Sequence, residues 1–142
     1  MVYRAEGKSF SFSQQTKVYD SFDDEIFEIK KNNFSWKTTF FILKDGKRVY
    51  KVFQKIFSTR LTVFVESLTE IDAFYVEGNF WGREYNFYTE GKNIATVSKK
   101  LFSLSDLYGI TIEEGHDEQL ILTVLIIIDM IRDNMKKAAA NN

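Results

Sequence analysis

Six basic residues crowd one short stretch, Lys44, Lys47, Arg48, Lys51, Lys55 and Arg60, with Asp45 the one acid among them. A run of this kind can hold an anion by charge attraction, either a phospholipid headgroup or a nucleic-acid phosphate. Residues 66–90 are the reverse, with Glu66, Glu70, Asp72, Glu77, Glu84 and Glu90 against Arg83. Neighbouring segments of opposite sign imply a polarised molecule. Other chemistries are excluded by composition. There is no cysteine, so thiol catalysis, disulfides and cysteine metal sites are ruled out. There is one histidine, which rules out a multi-histidine metal site. His116 lies in Glu113-Glu114-Gly115-His116-Asp117, a polar turn that places no Ser-His-acid constellation, so no catalytic residue is assigned. The acids around it match no calcium-loop spacing and read as the favoured charge at a helix N-terminus. Gly78 and Gly82 are too few for a phosphate-cradling loop. No metal or cofactor is expected.

The elements that position these charges show in a repeat. Phe10-Ser11, Phe34-Ser35, Phe57-Ser58, Phe80-Trp81 and Phe102-Ser103 recur at spacings of 24, 23, 23 and 22 residues. Before each Phe lies an alternating run, and after it a polar turn and a second alternating run such as Leu61 to Val65. Asp45-Gly46 and Glu90-Gly91 suit the turns between units. Each unit is therefore an antiparallel strand pair, and five units predict about ten strands. Counting back from each Phe, offsets −1, −5 and −7 are mostly apolar and are assigned inside. Offsets −2, −4 and −6 are mostly polar and are assigned to solvent. This puts Lys51 and Lys55 outside, with Lys8, Lys55 and Lys100 at a shared height. It also puts Phe53, Phe74 and Val76 outside, where other units carry polar residues. Three outward apolar side chains form a patch for a partner, pack under the terminal tail, or mark a local bulge.

Leu120 to Ile131 is different, with apolar residues at ten of its twelve positions and on every side of a helical wheel. Asp117 suits the N-cap, and Arg132, Lys136 and Lys137 suit the C-terminal end. The β-branched run Ile126 to Ile128 would also fit a strand, but length and capping favour a helix. A helix apolar all round is buried or in a membrane, and twelve residues are too few to span a bilayer. The helix is therefore a core element with the sheet curled round it. Asp129 inside it is read as a structural carboxylate at the mouth of the sheet, the alternative being a proton- or ligand-responsive group.

Three stretches resemble the LURP-one-related family, whose fold is like the Tubby C-terminal domain and related to phospholipid scramblases. They are Val76 to Tyr85, Lys99 to Asp106, and Leu120 to Met130 with Ile127-Ile128-Asp129. The resemblance covers about residues 1–131 and implies a closed barrel of twelve strands round the terminal helix. This chain departs from that pattern. Five hairpins are counted where the family has six, and Val2 to Lys8 reads like the family's second hairpin. A smaller closed barrel, a sheet left open at an edge, or a gap covered by a second chain would follow, and the cost of a bare edge favours the last two.

The chain has 142 residues, net charge −1, 44% hydrophobic and 27% charged residues, which is ordinary globular composition for one domain. The expected fold is mainly β, an antiparallel barrel-like sheet of about ten strands wrapped around one central hydrophobic C-terminal helix. The expected domain is 1–135, with a disordered tail at 136–142. Nothing at the N-terminus reads as a secretory signal, and a cytoplasmic location is expected. The expected function is a non-enzymatic module that binds an anionic phospholipid headgroup or membrane surface through Lys51, Lys55, Arg60, Lys99 and Lys100. The resemblance adds weight to lipid, because Tubby domains bind phosphoinositides through basic side chains. The alternative is a protein-interaction or oligomerising scaffold. Nucleic acid ranks third for a slightly acidic chain whose aromatics follow the repeat.

Overall fold

The computed structural model describes residues 4–7, 15–32, 39–57, 60–70, 73–79, 84–98 and 109–140. Ten strands follow one another as an antiparallel meander: β1 (Arg4–Gly7), β2 (Gln15–Tyr19), β3 (Glu25–Asn32), β4 (Thr39–Lys44), β5 (Lys47–Phe57), β6 (Arg60–Ser67), β7 (Ala73–Asn79), β8 (Glu84–Thr89), β9 (Lys92–Ser98) and β10 (Gly109–Ile112). Each strand pairs with the next in sequence. Among the described residues nothing pairs β1 with β10, so the sheet curls without closing into a barrel. One helix follows, α1 (Glu118–Ala140).

The turns form for the reason their residues suggest. Asp45 and Gly46 have φ of 51° and 78°, and Glu90 and Gly91 have 50° and 77°. Two successive positive φ values make the hairpin turn whose twist matches its flanking strands, and glycine accepts the second at least cost. The β2–β3 turn is held differently. Asp20 Oδ1 accepts from the backbone N–H groups of Phe22 and Asp24, at 2.9 and 3.0 Å.

The inner faces form one core with the helix. Val18, Phe27, Ile29, Phe40, Ile42, Val52, Val63, Val65, Phe87 and Val97 meet Leu120, Ile121, Val124, Leu125, Ile127, Ile128 and Ile131 in a single cluster. Buried helix positions occur nearly all round the wheel. The least covered stripe is Leu122, Ile126, Asp129 and Asp133, spaced by four, three and four residues. A sheet curled round three sides of a helix leaves such a stripe, and covering the other sides removes the apolar run from water. Thr123 is buried within it, its hydroxyl donating to the Gln119 carbonyl at 2.8 Å. Asp117 Oδ1 accepts from the Leu120 N–H at 3.1 Å, the expected N-cap.

Two expectations are corrected at this end. The helix continues to Ala140, taking in residues 136–140 of the segment expected to be a disordered tail. Arg132 is a buried mid-helix residue, not a C-terminal charge. Asp129 is half-buried and has a partner, so its charge is not isolated in the apolar helix. Among the described residues no helix is long and apolar enough to cross a membrane.

Candidate functional site

The outer face of β5 carries Lys51, Phe53 and Lys55 at alternate positions, while Val52 between them is fully buried. Cross-strand register extends this into a row. Phe53 lies opposite Phe64 on β6, Phe64 opposite Tyr75 on β7, and Tyr75 opposite Tyr88 on β8. The rings touch in series. Phe53 and Phe64 stack with centroids 5.4 Å apart and planes at 17°, Phe64 and Tyr75 are 6.3 Å apart, and Tyr75 and Tyr88 stack at 5.3 Å. All four are half-buried. Aromatic cross-strand pairs of this kind stabilise a sheet by about 0.2–1 kcal/mol each.

Cations cap the row at its β5 end. The Lys51 and Lys55 ammonium groups lie 5.4 and 5.9 Å from the Phe53 ring centre, and Lys55 lies 5.3 Å from Phe64. The Arg48 guanidinium sits 4.1 Å over Phe41, on the β4 side. These are cation–π distances, with the charged ends kept at the surface. Among the described residues neither Lys51 nor Lys55 is held in an ion pair. The acids lie beside the row on the next strands, Glu66 on β6 directly opposite Lys51 and Glu77 on β7 in line with Lys55 through Thr62. The face is therefore basic at β5 and acidic beyond it, as the sequence runs predict.

The expected site residues divide. Lys51 and Lys55 share this face with Phe53. Lys99, Lys100 and the side chain of Arg60 lie outside the described residues. Phe74 and Val76 are not outward. They are 9% and 2% exposed, facing Val65 and Val63 in the core, and Phe74 packs on Phe87 with centroids 6.1 Å apart. The repeat was aligned on Phe80 in its fourth unit. Counting from Trp81 instead restores offsets −7 and −5 to Phe74 and Val76, the inner register of Tyr50 and Val52. The slip of one residue exchanges the two faces, so Tyr75, assigned inside, is the one that faces out. Phe64, Tyr75 and Tyr88 were not foreseen as site residues, and pairing the strands with the corrected register would have found them.

A substitution pair checks this assignment. Phe74→Thr is expected to cost about 3–5 kcal/mol, as loss of a core aromatic does. Phe53→Thr should cost about 1 kcal/mol, the worth of one stacked pair at a surface. Denaturant midpoints measure both, and similar losses would reject the register.

The family model described as LURP-one-related matches residues 1–129. The chain belongs to the LURP-one-related family. Uncharacterized protein YxjI of Bacillus subtilis (strain 168) is 26% identical over 134 residues, covering 94% of this chain and 80% of YxjI. The X-ray structure of the Arabidopsis thaliana protein AT5G01750 covers 91% of both chains at 15% identity, with a TM-score of 0.45. None of these names carries an enzymatic activity.

Proposed function

We propose that this LURP-one-related chain is a non-enzymatic binding module that docks reversibly on an anionic phospholipid surface through the outer face of β5. The observation that supports it is the alternation Lys51-Val52-Phe53-Gln54-Lys55, with two surface cations flanking the end of an outward aromatic row. Lysine supplies attraction to anionic headgroups, about 1 kcal/mol per residue near the surface. Aromatic rings favour the boundary between headgroups and acyl chains. The stacking within the row argues against a nucleic-acid platform, which needs open ring faces. Here Phe53 stacks on Phe64 and Tyr75 on Tyr88, so these rings are already engaged with one another.

Co-sedimentation with anionic and neutral liposomes at low and high salt tests this reading. Binding to anionic liposomes alone, lost at high salt, is expected. Lys51→Ala with Lys55→Ala should weaken it about thirty-fold, from two contributions of about 1 kcal/mol. No binding under any condition would overturn the lipid reading. The unclosed sheet favours a second reading, a scaffold that completes an edge with a partner or a second copy. Binding indifferent to salt and to both lysines would favour it.

A further inference from the structure

A cavity of about 200 Å³ opens where α1 begins. Its lining includes the aromatic residues Tyr50 and Phe74 and, from the helix, the apolar Leu120 and Ile121. Asp117, Thr89 and His116 supply its polar atoms. The Thr89 hydroxyl donates to the Ala73 carbonyl at 3.1 Å, so it faces other groups as an acceptor. Asp117 spends Oδ1 on the Leu120 N–H, which leaves Oδ2 for a second donor.

The meander sets the charge around this mouth. The connections after the even-numbered strands all fall at the end where the helix starts. Among the described residues these connections carry three acids between β2 and β3, one at each of the next three turns, and three in the link into α1. They carry no lysine or arginine, and Lys44, Lys47 and Lys92 at the strand ends offset this only in part. The helix N-terminus itself contributes about half a positive charge. Glu113, Glu114, Asp117 and Glu118 around it outweigh that several-fold. A cavity lined by two aromatic residues, aliphatic side chains and a carboxylate, at the end of the sheet whose turns are acidic, suits a cation that carries apolar groups. Aromatic faces attract such ions, and a quaternary ammonium loses little hydration on entering.

We propose that this cavity binds a small organic ammonium ion, with Tyr50 and Phe74 against its apolar substituents and Asp117 as its counter-charge. The site is separate from the outer face of β5 and does not rest on the reading of that face.

Calorimetric titration of the full chain with choline, and with its uncharged carbon isostere 3,3-dimethyl-1-butanol, tests the proposal. Choline is expected to bind at least ten-fold more tightly than the isostere. Asp117→Asn, which keeps a good N-cap, should remove most of that preference and leave the isostere unchanged. Tyr50→Leu keeps the wall apolar and should weaken choline about three- to thirty-fold. Equal binding of the two probes, or binding of neither, would overturn the proposal. Co-sedimentation with phosphatidylcholine vesicles then separates the sources. Competition of vesicles with choline identifies a headgroup, and choline binding without vesicle binding identifies a free solute.

Discussion

Gly78→Ala is expected to destabilise the protein more than the addition of a methyl group at any hairpin turn. Gly78 on β7 lies opposite Tyr85 on β8. A Cβ at this position would run into the Glu84 carbonyl oxygen and come within 2.9 Å of both Cα and Cδ1 of Tyr85. Two of these three atoms are backbone, and the third belongs to a ring that is only 1% exposed. None can move without parting the two strands. Overpacking a well-filled interior costs typically 1–3 kcal/mol, and a backbone clash belongs at the upper end, about 3 kcal/mol. The same parting would disturb the next rows of the β7–β8 ladder, where Val76 faces Phe87 and Tyr75 faces Tyr88. Gly46→Ala is the control. Nothing lies within 4 Å of its added Cβ, but its φ of +78° makes an L side chain costly by about 1 kcal/mol. Urea midpoints should therefore fall in the order wild type, Gly46→Ala, Gly78→Ala. Equal losses would mean that the close approach of Tyr85 is not what requires the glycine.

The contrast between these two glycines also shows what can be read from a sequence and what cannot. Asp45-Gly46 and Glu90-Gly91 announce themselves locally, because a two-residue turn between alternating runs demands those residue types. The inward positions Ile29, Val52 and Val97 were legible for a similar reason, since alternation on a single strand separates its faces. Gly78 requires knowing that Tyr85 lies across from it, and nothing in either strand alone says so. The aromatic row has the same dependence. Phe53 was assigned outward from its own strand. Tyr75 was assigned inward because a Phe-Trp pair gave two possible anchors for the count, one residue apart. Phe64 and Tyr88 become a site only through the register of three ladders. The lysines were legible as charge, and their position over the Phe53 ring was not. The extent of α1 was underestimated because the apolar run ends near Ile131, whereas the hydrogen-bonded helix needs no apolar residues to continue to Ala140.

Ile128→Asp is expected to abolish the folded state, although the next residue is already an aspartate. Successive residues on a helix are turned by about 100°. That rotation takes the chain from Ile128, which is 0% exposed, to Asp129, which is half-buried, has a partner and lies on the least covered stripe. The carboxylate of Ile128→Asp would enter the cluster that includes Val124, Ile127 and Ile131, with the buried Arg132 one helical turn further on as the nearest cation on the helix. The lost isoleucine contacts alone are worth about 2–5 kcal/mol. Burying a carboxylate there costs several more, which one charge contact to Arg132 would offset only in part, or requires the acid to take up a proton at a comparable penalty at neutral pH. Together these reach the whole stability of a domain, about 5–15 kcal/mol. Circular dichroism should show no cooperative thermal transition for Ile128→Asp. Leu122→Asp, on the same stripe as Asp129, should retain a transition at a lower temperature. If both variants unfolded alike, the sheet would have to cover the helix on all sides, and the stripe through Leu122, Ile126, Asp129 and Asp133 could not be its open side. If Ile128→Asp kept its transition, the helix would not be the centre of the core. The outer face depends on the helix through β5, which carries Lys51, Phe53 and Lys55 outward and buries Val52 in the same core as α1.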